Sequence, residues 1–199
     1  FRKKSIEKVI YEIKQILNQG YKEIFIRDEN LTLDKKYLMK LCKEIIKNKL
    51  KFYWICNSRV DTVDKKLINL MKQAGCHLIK FGVESSNQKV LDNLKKGITK
   101  KQIEYAFKIC NELKIETMGH FMIGNPDETI KDIHNTIEFA IKLDPTSASF
   151  DILIHYPKTS VKKSNLSKLE LEEMHELAFK NFYLRPDYIF KNAIATKSI

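Results

Sequence analysis

The sequence predicts an α/β protein built on a parallel sheet. Apolar residues recur at two alternating periods almost without interruption, and five short apolar runs are each preceded by a helical pattern. Each run ends in a polar or glycine-containing turn. Strands separated by helices need crossover connections, and those belong to parallel sheets.

Ser5 can cap a first helix whose apolar face is Ile6, Val9, Ile10, Ile13, Ile16 and Leu17, closed by Gly20. The first strand is Glu23-Ile24-Phe25-Ile26, ending at Arg27-Asp28-Glu29-Asn30. Asp34 caps a helix with Leu38, Leu41, Cys42, Ile45 and Ile46 inward, and Phe52 to Cys56 is the second strand, ending at Asn57-Ser58-Arg59. Asp64 caps the next helix (Leu67, Ile68, Met71), closed by Gly75. The third strand, Leu78 to Phe81, ends at Gly82-Val83-Glu84-Ser85.

A short helix around Val90 and Leu91 precedes a capping box, Thr99 to Gln102, and a helix carrying Ile103, Ala106, Phe107 and Cys110. The fourth strand, Thr117 to Ile123, ends at Gly124-Asn125-Pro126-Asp127-Glu128. A helix with Ile133, Ile137 and Ala140 leads to the fifth strand, Ala148 to Ile154, ending at His155-Tyr156-Pro157. Residues 158–168 are rich in Lys and Ser and read as a linker. Ser167 to Glu170 is a second capping box, opening a last helix that stops before Leu184-Arg185-Pro186.

Composition narrows the function classes. The chain has 199 residues, 43% hydrophobic and 31% charged, which is a globular balance. No uncharged apolar run is long enough to cross a membrane, and the basic start has no apolar stretch behind it to make a signal peptide. The net charge of +11 is spread over polar helix faces rather than gathered in a stripe, so no nucleic-acid partner is expected. Cys42, Cys56, Cys76 and Cys110 lie far apart in sequence among apolar neighbours. They read as small buried hydrophobes in a reduced, cytoplasmic protein, not as a metal ligand set.

In parallel α/β folds, ligands bind where the strands deliver their carboxyl ends. Asp28 and Glu29 are adjacent, so at most one faces the sheet axis, and either a site or a turn explains them. Glu84 can hold a ribose diol or shape a turn. Gly124-Asn125-Pro126 allows close backbone approach or simply makes a loop, and His155 is an acid/base candidate or a structural residue. No GxGxxG, Walker loop, HExxH or serine elbow is present. An aldolase-like barrel would need an inward lysine, for which Lys80 is the candidate. A non-catalytic module that keeps the scaffold for ligand or partner binding is a further alternative.

Several segments, in order, resemble the radical S-adenosylmethionine superfamily: Phe1 to Ser5, Lys22 to Thr32, Ser58 to Asp64, Met71 to Cys76, Phe81 to Ser85, Lys96 to Thr99 and Gly124 to Thr129. With the tail Phe182-Tyr183-Leu184-Arg185-Pro186, they look most like the branch with an upstream cobalamin-binding domain. The resemblance implies a partial (β/α)6 TIM-like barrel of parallel strands, its first strand missing, over residues 1–157. Residues 158–199 form a linker and C-terminal helical extension.

The resemblance also implies a chemistry. A [4Fe–4S] cluster, held by a C-x3-C-x2-C loop expected upstream of Phe1, reductively cleaves S-adenosylmethionine to methionine and a 5′-deoxyadenosyl radical. With cobalamin as a further cofactor, methyl transfer to a small-molecule substrate follows. Carried over by position, Asp28 and Glu29 match the place that meets the methionyl amino group, and Asn57 and Arg59 polar positions near the ligand carboxylate or substrate. Glu84 and Ser85 match the ribose contact, Met122, Ile123 and Gly124 the strand packing on adenine, and His155 and Tyr156 the last strand end. Asp127 and Lys158 stand where the family usually has Gly, and the stretch after Thr159 is short. Residues 1–199 alone are expected to be inactive, to hold no cofactor and to self-associate through the open barrel edge.

Overall fold

The computed structural model describes residues 3–154 and 163–195. Five parallel strands form one open sheet in the order β1-β2-β3-β4-β5: β1 Glu23–Ile26, β2 Tyr53–Ser58, β3 Cys76–Glu84, β4 Glu116–Ile123 and β5 Ser147–Ile152. Chain order and sheet order coincide, as successive right-handed crossovers dictate. Among the described residues eight α-helices accompany them: α1 Ile6–Asn18, α2 Lys35–Lys47, α3 Lys65–Gln73, α4 Gln88–Asn93, α5 Lys100–Glu112, α6 Ile130–Leu143, α7 Lys168–Tyr183 and α8 Pro186–Ala195.

The chain divides into two compact units, Phe1–Phe81 with Gln102–Met118, and Gly82–Lys101 with Gly119–Ile199. In the first, Ser5, Asp34 and Asp64 each accept a backbone N–H from the first turn of α1, α2 and α3, as their sequence positions predict. Lys3–Asp34 and Lys35–Asp64 ion pairs sit at two of these caps. Core side chains converge from α2, α3 and α5 onto one sheet face: Leu38, Leu41, Ile45, Leu67, Met71 and Phe107 against Trp54, Ile79 and Phe81. The indole N–H of Trp54 donates to the Ala74 carbonyl at 2.8 Å. Gly75, at φ +95°, lies so near the Phe52 carbonyl oxygen that a Cβ would stand 2.2 Å from it, so no other residue fits.

Register separates the two sheet faces. Ile24 pairs with Trp54 and Ile26 with Cys56, on the buried face. Phe25 pairs with Ile55 and Asn57 with Lys80, on the other. A register shift between Trp54 and Ile55 marks the start of the β2–β3 ladder.

The second unit has an aromatic core. Phe121 and Phe150 stack at 5.2 Å, and Phe150 meets the edges of Phe179 and Phe182 of α7. The Tyr183 hydroxyl donates to the Ala148 carbonyl at 2.6 Å and accepts the Ala148 N–H at 3.0 Å, so α7 pairs a backbone position of β5. Arg185 donates to the carbonyls of Phe182 and Ile141 and reaches Asp144, tying the end of α7 to the end of α6. Among the described residues no helix is long and apolar enough to cross a membrane.

Candidate functional site

The predicted site residues fall in both units, and each set is organised within its own. In the first unit, Asp28 is half-buried, and its Oδ1 accepts the Asn30 N–H at 2.9 Å in an Asx turn. The side-chain carboxylate is therefore engaged locally. Asn57 Nδ2 donates to the Asp28 carbonyl at 3.3 Å, and the Asn57 carbonyl accepts the Leu31 N–H at 3.2 Å. Buried Thr32 completes the tie, with hydroxyl contacts of 2.5 Å to Ser58 and to Thr62. The chain after β1 and the chain after β2 are thus one hydrogen-bonded assembly.

Glu29 is exposed, so the two adjacent carboxylates do not converge. Arg59 makes a bidentate pair with Asp61, both contacts 2.9 Å, which raises the guanidinium's pKa still further. A cavity of about 440 Å3 borders Asp28 and Asn30, walled by Ile13, Ile24, Ile26 and Leu41.

In the second unit, Glu84 ends β3 with φ +68°, a left-handed conformation that non-glycine residues seldom take. Its carboxylate pairs with Lys96 at 2.6 Å, the two side chains 13% and 26% exposed. A Cβ at Gly82 would lie 2.9 Å from both Glu84 Oε1 and Lys96 Nζ, so the glycine makes room for the pair. Ser85 is fully buried. Its hydroxyl accepts the Asn87 N–H at 3.1 Å and meets Thr136 of α6 at 3.2 Å, a turn and packing role rather than a ligand-facing one.

Met122 is half-buried, while the neighbouring Ile123 is 1% exposed and belongs to the core. The two cannot offer side chains to one ligand because adjacent strand residues point to opposite faces. Ile123 contributes its carbonyl, which accepts the Leu153 N–H at 2.8 Å. Gly124 has φ +84°, and a Cβ there would meet the Leu171 side chain at 2.9 Å, so its close approach is to α7. His155 and Tyr156 lie outside the described residues.

Glu128 stands in the turn after the fourth strand, where the sequence alone assigns it no role. It is 2% exposed, and its Oε2 accepts the N–H groups of Gly124 at 2.8 Å and Asn125 at 3.0 Å. Burial pushes its carboxyl pKa up, and those donors pull it back in part. Glu128 Oε1 and Asn125 Oδ1 are buried without a hydrogen-bond partner among the described residues. An acid four residues beyond a strand-ending glycine was the available signal.

The donor set suits a nucleoside and does not suit a metal cluster. Glu84 offers a carboxylate of the kind that holds ribose hydroxyls. The four thiols are buried, and burial pushes Cys42 and Cys110 up to about 12 and Cys76 well above its usual value, so those three offer no thiolate. Among the described residues no trio of His, Cys, Asp or Glu converges to hold a metal ion.

Comparison with known proteins decides the family. The sequence model of the radical SAM superfamily matches residues 1–140. The chain belongs to the radical SAM superfamily. An uncharacterized methyltransferase of Pyrococcus horikoshii is 32% identical over 218 residues, covering 96% of this chain and 48% of that protein. The anaerobic magnesium-protoporphyrin IX monomethyl ester cyclase of Rubrivivax gelatinosus is 27% identical over 190 residues, covering 94% of this chain and 34% of that protein. This radical SAM chain therefore spans half the length, or less, of these two curated relatives.

Among solved structures, the radical S-adenosylmethionine methyltransferase TsrM of Kitasatospora setae, with cobalamin and a [4Fe-4S] cluster bound, superposes with a TM-score of 0.71. The match is 20% identical and covers 75% of this chain and 31% of that one. Coproporphyrinogen III oxidase (HemN) of Escherichia coli gives a TM-score of 0.71 at 14% identity, covering 90% and 45%. Both show the fold: the five-stranded sheet is similar to the partial barrels of radical SAM enzymes.

Proposed function

We propose that residues 1–199 are the S-adenosylmethionine-binding core of a longer radical SAM enzyme, and that Glu84 is its ribose-holding carboxylate. Residues 1–157 would form the barrel core and 158–199 the linker and helical extension. The observation that carries the reading is the conformation of Glu84. A glutamate in a left-handed strand end, given room by Gly82 and fixed by Lys96, holds a mostly buried carboxylate in one place where β3 ends.

When bound, S-adenosylmethionine supplies a sulfonium open to reductive cleavage, the chemistry for which the superfamily is named. This chain's part is to bind and orient. Glu84 accepts from the ribose hydroxyls, and within the first unit the Asp28 and Asn57 backbone assembly fixes the course of the loop after β1. Met122 offers an apolar surface to the adenine, with Gly124 and Glu128 setting the course of the chain beyond it. Ser85 and Ile123 act through the turn, backbone and packing contacts they make within the second unit. The cysteines of this chain do not suit a cluster, whose ligands would lie in sequence outside residues 1–199.

Methyl transfer to a small-molecule substrate is supported by the methyltransferase relative and by TsrM, whose structure holds cobalamin. A cytoplasmic location and the absence of a nucleic-acid partner belong to the same reading, as does pairing of the β1 edge with a second copy. The test is equilibrium binding of S-adenosylhomocysteine to the full-length protein. E84A should weaken it by at least about tenfold, the scale of losing hydrogen bonds to a charged group. Unchanged affinity in E84A would remove Glu84 from the site.

A further inference from the structure

Two cations of the first unit converge on one exposed aromatic ring. Lys80 Nζ lies 4.8 Å from the centre of the Phe25 ring, and the Arg27 guanidinium lies 5.9 Å from the same centre. Neither makes an ion pair among the described residues, whereas Lys3, Lys4, Lys35, Arg59, Lys65 and Lys96 all do.

Lys80 is also oddly placed. It stands in the middle of β3, half-buried, between Ile79 and Phe81, both 0% exposed, and on the opposite face from them. Its register partner on that face is Asn57 of β2, and its side chain spans β2 to reach Phe25 of β1. Lysine is disfavoured in strands and is seldom half-buried without a partner. Two like charges over one ring repel each other and are stabilised when an anion joins them. Phe25, 39% exposed, supplies an apolar platform beside the charges.

We infer that Lys80 and Arg27 bind a carboxylate or phosphate of the substrate, with the Phe25 ring against an apolar or conjugated part of the same molecule. The substrate class is therefore an amphipathic anion, not a neutral or cationic molecule. This inference rests on the proposed enzyme reading, since it names the substrate of that enzyme.

The test titrates full-length protein with 2-naphthoate and with its neutral amide, 2-naphthamide. The wild type should bind the acid about tenfold more tightly than the amide, the scale of charge-assisted hydrogen bonds. K80M should remove that preference and keep amide binding within about twofold, whereas K80R should retain the preference. R27M, at an exposed position, should reduce the preference and serves if K80M does not fold. Equal affinity for acid and amide in the wild type, or a K80M protein that still prefers the acid, would overturn the inference. Displacement of naphthoate by S-adenosylmethionine would assign the cations to the cofactor carboxylate and overturn it as well. Protein that forms 5′-deoxyadenosine but does not discriminate acid from amide refutes this inference alone. Protein that discriminates but does not bind S-adenosylmethionine refutes the enzyme reading on which the inference rests.

Discussion

Glu128 holds Gly124 from four residues away: one buried carboxylate oxygen accepts the Gly124 N–H at 2.8 Å and the Asn125 N–H at 3.0 Å. The bend after β4 is thus fastened by an acid at the threshold of α6. E128A leaves two buried N–H groups unpaired and should cost about 1–3 kcal/mol in urea unfolding.

The same carboxyl makes stability depend on pH with a definite sign. Its folded pKa is raised, chiefly by burial. The folded state therefore holds the proton more tightly than the unfolded state, and this contribution is full below the unfolded pKa and lost as pH rises through the folded one. The wild type should therefore lose stability relative to E128Q as pH rises from acid towards neutral. Urea midpoints at several pH values measure it, and parallel curves would contradict it.

Glu84 trades stability for position. Its φ of +68° is relieved by glycine, a gain of about 1 kcal/mol, while the partly exposed pair with Lys96 contributes roughly 0.2–1 kcal/mol. E84G should therefore be at least as stable as the wild type in urea and bind S-adenosylhomocysteine at least about tenfold more weakly. A protein clearly destabilised by E84G would show that the conformation carries no strain.

The buried thiols give a fourth prediction. Cys42 and Cys110 titrate at about 12 because burial disfavours the thiolate. Their contribution to stability is full below the unfolded thiol pKa and falls away as pH rises towards 12. Urea midpoints should drop in the alkaline range, and a C42A/C110A protein should show a shallower fall. All four cysteines should resist thiol reagents at neutral pH until the protein unfolds.

The layout of the sheet was legible because helices and strands alternate and caps are explicit. Ser5, Asp34, Asp64 and Ser167 cap where their spacing places them. Strand ends were harder. β3 runs from Cys76 to Glu84, longer than its apolar run, because Lys80, Gly82 and Glu84 lie on the face that the core does not cover. The capping box of α6 was hidden because its third residue is Asp132 rather than Glu or Gln. Pro186 reads as a stop, yet it occupies the first position of α8, where proline is at home.

Polar strand ends were visible, but their allegiance was not. Ser85 is claimed by Thr136 on a helix 51 residues away, and Asp28 by the Asn30 N–H two residues on. Which polar atoms remain for a ligand depends on such partners, and only the folded chain supplies them.

The most direct measurement takes the full-length protein, reconstituted anaerobically with iron and sulfide and reduced in the presence of S-adenosylmethionine. The account predicts 5′-deoxyadenosine or S-adenosylhomocysteine, formed only when the cluster is present and diminished in E84A. A protein with a full cluster that forms neither product would contradict it and leave the barrel as a binding scaffold.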